Sequence, residues 1–124
     1  MIWLAVAAGG AIGSLARHGV NHVFGHLLLR PVPYATAVVN VAGSLVIGVL
    51  AGAIASGRLV MSQPLRAFVF VGLLGGFTTF SSFMLDTLTA VHGGDRPIAI
   101  GNVIAQTVLG FLCVYVGYRL AAQR

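Results

Sequence analysis

Three carboxamide side chains stand in strongly apolar stretches of this chain, and they are the first candidates for chemistry. Asn40 lies within the uncharged run 31–57, and Asn102 and Gln106 lie one helical turn apart within the uncharged run 97–118. An amide surrounded by lipid or apolar side chains is costly unless it has a hydrogen-bond partner or lines a polar path. Each of the three is therefore either a link between helices or a donor along a polar track, and the residues alone leave both interpretations open.

A glycine pair followed by two threonines marks a second candidate region. Residues 72–83 read GLLGGFTTFSSF, and Gly75 and Gly76 make this stretch a poor helix former. We expect the helix to break here, which would expose main-chain carbonyls suited to a small cation and amides that favour a nearby anion. Small residues are also typical of close contacts between membrane helices, and the glycines taken by themselves favour that interpretation slightly.

Two phenylalanines follow the threonines at a spacing that places them on one helix face. Phe80 and Phe83 are separated by three positions. An aromatic ring has a positive edge, so two edges along a narrow path would hold an anion without a full positive charge. Thr79 and Ser82 add hydroxyl donors to the same stretch. The alternatives are rings that face lipid or the core, and hydroxyls that bond carbonyls of their own helix.

The composition shows which elements must position these residues. The chain has 124 residues, of which 58% are hydrophobic and 7% charged, and its mean hydropathy is +0.99. Such a chain cannot cover a water-soluble globule with charge, and a membrane-spanning helix needs about 20 apolar residues. The sequence therefore predicts one all-α integral membrane domain over residues 1–124. Its four transmembrane helices are expected at about residues 2–28, 34–55, 65–91 and 98–120, with the third broken at mid-membrane.

The charges are almost all arginines at the ends of the apolar runs. The formal net charge is +5, but arginines in these places are interfacial anchors, so no nucleic-acid partner is expected. The two ends of the helical hairpins receive nearly equal numbers of arginines. One end receives Arg17, Arg30 and Arg96, and the other receives Arg58, Arg66, Arg119 and Arg124. The chain therefore either inserts in both orientations or has a weak but sufficient bias toward one.

Several kinds of chemistry have no candidate residues. The chain has no glutamate, Asp86 is the only acid within a predicted span, and no nucleophile–base pair is visible, so an enzyme is not expected. Arg17 and Asp86 fall toward the same end, where they form an ion pair or lie as anchors at the interface. The alternative for Arg17 is to attract anions into a vestibule. His18, His22 and His26 have a metal-compatible spacing, but no carboxylate or cysteine joins them. No Lys or Arg precedes the first apolar run, so a cleavable signal peptide is not expected either.

Three motifs in order resemble a known family. Gly9-Gly10-Ala11-Ile12-Gly13 leads to Arg17, Asn40-Val41-Ala42-Gly43-Ser44 leads to Gly48, and Thr78-Thr79-Phe80-Ser81-Ser82-Phe83 follows the glycine pair. Together they resemble the CrcB/Fluc fluoride channels across all four spans. Asn102 and Gln106 stand where that family often has Tyr and Ser, which changes the donor geometry of that part of the chain.

The resemblance implies an antiparallel, dual-topology homodimer in the bacterial inner membrane. It implies two pores that export cytoplasmic fluoride passively and lower its toxicity, and a structural sodium ion on the dimer axis. It also implies roles for individual residues. The fluoride pore would be lined by Asn40, Thr79, Phe80, Ser82, Phe83, Asn102 and Gln106; the vestibule would hold Arg17; and main-chain oxygens of Gly75 and Thr78 would bind the sodium ion.

Two other classes of membrane protein share the four short spans. A small multidrug exporter has the same size, but that family works through a glutamate in its first span, which this chain lacks. An assembly subunit that transports nothing would use its small-residue stripes for packing alone.

Overall fold

The computed structural model describes residues 1–27 and 34–123, and this part of the chain is helical without any strand. The prediction of an all-α fold is thereby confirmed. Proline stands in the first turn of both Gln63–Arg66 and Arg96–Ala122, where its missing N–H is no loss. The helices are α1 Ile2–Leu27, α2 Tyr34–Ala55, α3 Gln63–Arg66, a π-helical segment Ala67–Leu74, α4 Gly75–Phe77, α5 Phe80–His92 and α6 Arg96–Ala122.

Three helical stretches in the described part of the chain are long and apolar enough to cross a membrane. They are Tyr34–Ala55, Gln63–His92 and Arg96–Ala122. Gln63–His92 runs from α3 to α5 and is called the third segment below, because it follows α1 and α2 along the chain. By length and composition these stretches support a multi-pass membrane protein, and the bounds expected for the spans stay predictions. The helix α1 has 26 residues, but Arg17 and His18 make its second half more polar. The first span therefore stays a prediction.

The first half of the third segment packs backbone to backbone against α1. A Cβ atom added at Gly72 would lie 2.7 Å from the Val6 carbonyl oxygen, and one added at Gly76 would lie 2.7 Å from that of Gly10. Such contacts let two helices approach closely and are typical of membrane helix pairs. The helix continues through the glycine pair, with Gly75 at φ −65° and ψ −35°. The expectation that the helix breaks at the glycines is therefore wrong in its position, because Gly76 serves close packing.

The helices α2 and α6 form the second closely packed pair. A Cβ atom at Gly117 of α6 would lie 2.7 Å from the Leu45 carbonyl oxygen, and Gly48 and Gly52 of α2 face the backbones of Val114 and Tyr118. The helix α5 packs on α6 and so joins this pair to the third segment. Glycine contacts thus fix two helix pairs, with the candidate residues between them.

The buried interior is unusually polar for its size. Its fully or nearly buried apolar side chains are Val39, Leu74, Phe83 and Ala99, while most large apolar side chains face outward. The buried polar side chains in the described part are Thr36, Thr79, Asn102 and Gln106. An apolar exterior around a polar centre is the pattern expected where lipid, and not water, surrounds a protein.

Candidate functional site

Helical geometry is interrupted at two threonines within the third segment. Thr78 has φ −80° and ψ 160°, and Thr79 has φ −155° and ψ 120°, so both are extended between α4 and α5. The hydroxyl and amide of Thr78 each donate to the Leu74 carbonyl over 3.0 Å, which ends the first half. The hydroxyl of Thr79 accepts from the Ser82 amide over 3.3 Å, which begins the second half as an N-cap. The Thr79 hydroxyl therefore replaces a helical carbonyl as acceptor for the Ser82 amide, while the Thr78 hydroxyl adds a second bond to the Leu74 carbonyl.

The carboxamide of Asn40 spans this interruption from α2. Its Oδ1 accepts from the Thr79 amide over 2.8 Å, and its Nδ2 donates to the Thr79 carbonyl over 3.0 Å. Both main-chain groups of Thr79 are thus satisfied by one side chain, as they would be by a neighbouring strand. Asn40 is therefore a link between helices, which was one of the two interpretations of its sequence position.

Two further amides extend this link along α6. Asn40 Nδ2 also donates to Gln106 Oε1 over 2.6 Å, and Gln106 Nε2 donates to Asn102 Oδ1 over 2.8 Å. Asn102 Nδ2 then donates to the Thr87 hydroxyl over 2.8 Å, and that hydroxyl donates to the Phe83 carbonyl over 2.8 Å. We call this set of residues, Asn40, Gln106, Asn102 and Thr87, the amide relay. It begins and ends on the backbone of the third segment.

The two phenylalanines differ in exposure although their rings touch. Phe80 is 72% exposed, whereas Phe83 is 6% exposed. Their ring centroids lie 5.6 Å apart with an interplanar angle of 71°, which is an edge-to-face arrangement. In this geometry the positive edge of one ring meets the negative face of the other. One ring of the pair is fixed in the protein interior and the other stands at its surface.

A cavity of about 430 Å³ lies beside the interruption and collects most of the predicted site. Seven predicted site residues line it, while Ser82, Asn102 and Arg17 do not. Ser44 and Thr107 line it with hydroxyls that take no part in the side-chain hydrogen bonds of the described residues. The lining residues are Asn40, Gly43, Ser44, Ile47, Phe70, Leu74, Gly75, Thr78, Thr79, Phe80, Phe83, Gln106 and Thr107, and none of these is charged.

The remaining predicted residues lie around this cavity. The Ser82 hydroxyl accepts from the Thr79 hydroxyl over 3.1 Å, one step behind the lining. Arg17 is half-buried on α1, and within the described residues no ion pair joins it to Asp86. The described residues also contain no cluster of three metal-ligating side chains, and the side chain of His26 lies outside the described set.

The interruption also changes what the Gly75 carbonyl can do. In a continuous α-helix that oxygen would accept from the amide of Thr79, but this amide donates to Asn40 instead. The Gly75 carbonyl therefore lacks its usual helical donor, and both Gly75 and Thr78 line the cavity. Carbonyl oxygens are hard donors of the kind that bind alkali and alkaline-earth cations. The donor chemistry of this corner therefore fits a small hard cation.

Sequence reasoning missed Thr87, which carries one end of the amide relay. Its hydroxyl donates to Phe83, four residues earlier, and in the same way Thr89 donates to Leu85 over 2.9 Å. The two threonines have the same local pattern, and only the position of α6 tells them apart. The available signal was that Thr87 and Phe83 share one helix face.

Comparisons with known proteins agree on one family. The family model described as CrcB-like protein, Camphor Resistance (CrcB), matches residues 4–118. A protein of Aeromonas salmonicida named fluoride-specific ion channel FluC is 42% identical over 98% of this chain and 97% of its own length. Proteins of the same name from Opitutus terrae and Paracoccus denitrificans are 42% and 44% identical, over 94% and 93% of this chain and 89% and 90% of their own lengths.

Proposed function

This chain belongs to the CrcB-like family, and from that premise we propose that it is a fluoride-specific ion channel and not an enzyme. Relatives that carry this name match nearly the whole chain, and the helices from α2 to α6 are suited to a multi-pass membrane protein. The proposed activity is passive export of cytoplasmic fluoride across the bacterial inner membrane, which lowers the toxicity of the ion.

The uncharged cavity beside the interruption is the observation that carries this proposal. Fluoride is small and strongly hydrated, so a selective path must replace its water with fixed donors while binding it weakly enough to release it. Ring edges of Phe80 and Phe83 supply a weak positive potential, and the hydroxyls of Ser44 and Thr107 supply donors. A path without a fixed lysine or arginine avoids trapping the anion.

The exposed half of the cavity supports assembly as a homodimer. Phe80 stands at the surface beside an open groove, so one chain provides only one side of a narrow path. We propose that a second copy in the opposite orientation completes the wall, which gives two pores per dimer. The nearly balanced arginines are compatible with insertion in both orientations. Arg17, half-buried on α1, would attract anions to the vestibule of such a pore.

A structural sodium ion is part of the same proposal. The carbonyl oxygens of Gly75 and Thr78 would hold it, together with the same oxygens of the second copy. The positive charge of the ion would then stabilise the contact between the interrupted segments of the two copies. Thermal unfolding in detergent should then shift upward as sodium chloride replaces choline chloride, and the shift should saturate. Equal unfolding temperatures in both salts would count against this ion.

Fluoride release from liposomes tests the function itself. Vesicles that contain only this protein and are loaded with potassium fluoride should release it, as followed with a fluoride electrode, once valinomycin carries the balancing potassium. Vesicles loaded with potassium chloride and protein-free vesicles are the controls. Exchange of a cationic drug for protons would favour the small multidrug exporter, and silence in both assays would favour an assembly subunit.

A further inference from the structure

We propose that Gln106 is a positioning residue, which holds the carboxamide of Asn40 in the one orientation that clamps Thr79. This inference deepens the proposed function, because it assigns to an α6 amide the task of maintaining the wall of the fluoride path. Direct contact between Gln106 and the anion is the alternative that the experiment below must separate from it.

The direction of every bond in the amide relay is fixed by its two ends. The Phe83 carbonyl can only accept, so the Thr87 hydroxyl uses its single hydrogen there and must accept from Asn102. With its nitrogen turned to Thr87, Asn102 presents its oxygen to the Gln106 nitrogen over 2.8 Å. Gln106 in turn presents its oxygen to Asn40, which leaves the Asn40 oxygen for the Thr79 amide.

The opposite end of the relay requires the same orientation independently. The Thr79 amide can only donate, and the Thr79 carbonyl can only accept, so Asn40 must place Oδ1 toward the first and Nδ2 toward the second. A rotated Asn40 amide would set oxygen against the Thr79 carbonyl and against Gln106 Oε1. The main-chain groups of Thr79 and the carbonyl of Phe83 therefore each require the same orientation of all three amides.

This arrangement commits the whole donor capacity of Asn40 to protein atoms. One hydrogen of its Nδ2 is used at the Thr79 carbonyl and the other at Gln106 Oε1. Asn40 therefore acts on the path by holding Thr79 extended, and Gln106 acts through Asn40. Gln106 and Asn102 are each 7% exposed, so a broken link leaves a buried amide without its partner.

Hydrogen exchange of two adjacent amides tests this assignment without any anion present. The Thr79 amide is held by Asn40, whereas the Thr78 amide is held by Leu74 within the same segment. In fluoride-free detergent micelles, Gln106→Leu should raise the ratio of Thr79 to Thr78 exchange about five-fold, the equivalent of one hydrogen bond of about 1 kcal/mol. Asn102→Leu should raise it by a smaller factor, because it breaks the relay one link further away.

Two control variants separate positioning from other roles. Gln106→Glu, measured at a pH low enough to keep its carboxyl protonated, retains an oxygen that accepts from Asn40 and an O–H that donates to Asn102, so it should keep the ratio at the wild-type value. Thr107→Val removes a lining hydroxyl outside the relay and should leave the ratio unchanged.

An unchanged ratio in Gln106→Leu would overturn the proposal, and loss of fluoride release with an unchanged ratio would assign Gln106 to contact with the anion instead. If Gln106→Leu accelerates exchange of all amides alike, Asn102→Leu decides by the same ratio. Because fluoride is absent, this result is independent of whether the wild-type protein conducts it.

Discussion

The α1 contact and the Thr79 region hold the two halves of one helical segment by opposite means. Residues 63–77 lie against α1, and Gly72 and Gly76 bring the two backbones into close contact. Around Thr79 the backbone is extended, and Asn40 of α2 bonds both of its main-chain groups, while Gln106 of α6 accepts from Asn40 in turn. The first region depends on glycines, which have no side chain, and the second depends on polar side chains. Mutations should therefore affect the two regions differently.

Removal of the Asn40 amide should have the largest effect on stability. Asn40→Leu deletes three hydrogen bonds and leaves both main-chain groups of Thr79 unpaired, at a cost of about 3–5 kcal/mol. Fluoride release should be lost as well. Thermal unfolding in detergent measures the first effect, and Ser44→Ala, which removes a lining hydroxyl outside the relay, is the control. Equal unfolding temperatures for the two variants would refute the clamp.

A methyl group in the glycine contact should have the next largest effect. Gly76→Ala places Cβ 2.7 Å from the Gly10 carbonyl oxygen and should lower the free energy of unfolding by about 1–3 kcal/mol. Gly101→Ala is its matched control, because a Cβ there meets nothing within 4 Å. If both variants unfold at the same temperature, the close glycine contact does not stabilise the first region, and the proposed difference between the two regions is wrong.

Substitution of the two phenylalanines should have the same effect on fluoride release but different effects on stability. Phe80→Ile and Phe83→Ile should both abolish fluoride release and leave the dimer assembled, because each removes a ring edge from the path. Only Phe83→Ile should lower stability, by about 1 kcal/mol, since Phe83 is buried and Phe80 is 72% exposed. Liposome release and thermal unfolding measured on the same preparations check this. Unchanged release in either variant would remove that ring from the proposed lining.

The smallest effect is expected at Ser82. Ser82→Ala removes one hydroxyl that accepts from Thr79 but keeps the Ser82 amide, so the helix cap remains. Stability should fall by about 0.5–1 kcal/mol, and release should slow without stopping. Complete loss of release would place this hydroxyl in direct contact with the anion.

The helical architecture could be predicted because the uncharged runs and the turns between them are local features of the sequence. The position of the interruption could not, because Gly75 and Gly76 are poor helix formers in isolation but are held helical against α1. The interruption falls instead at Thr78 and Thr79, whose hydroxyls cap both helical ends. The tertiary contacts decide between the two positions, because α1 packs against Gly76 and Asn40 bonds the extended Thr79.

The candidate site was recognisable by residue type but not by connection. A carboxamide within an apolar run is easily identified in a sequence, and Asn40, Asn102 and Gln106 were correctly predicted to need hydrogen-bond partners. It could not say that they bond to one another, because the links join residues as much as 66 positions apart. Thr87 looks like Thr89 until the facing helix is known.

The extended conformation of Thr78 and Thr79 also has a consequence for distance along the chain. An extended residue advances about 3.3 Å and a helical one about 1.5 Å, so the two threonines add roughly 4 Å to the length of the third segment. Rewinding them into a helix would have to draw α5 toward α4 by that amount. Because α5 packs on α6, and glycines bring α6 close to α2, such a movement of α5 would disturb the packing of both helices. The packing of α5 therefore opposes the rewinding of Thr78 and Thr79 into a continuous helix.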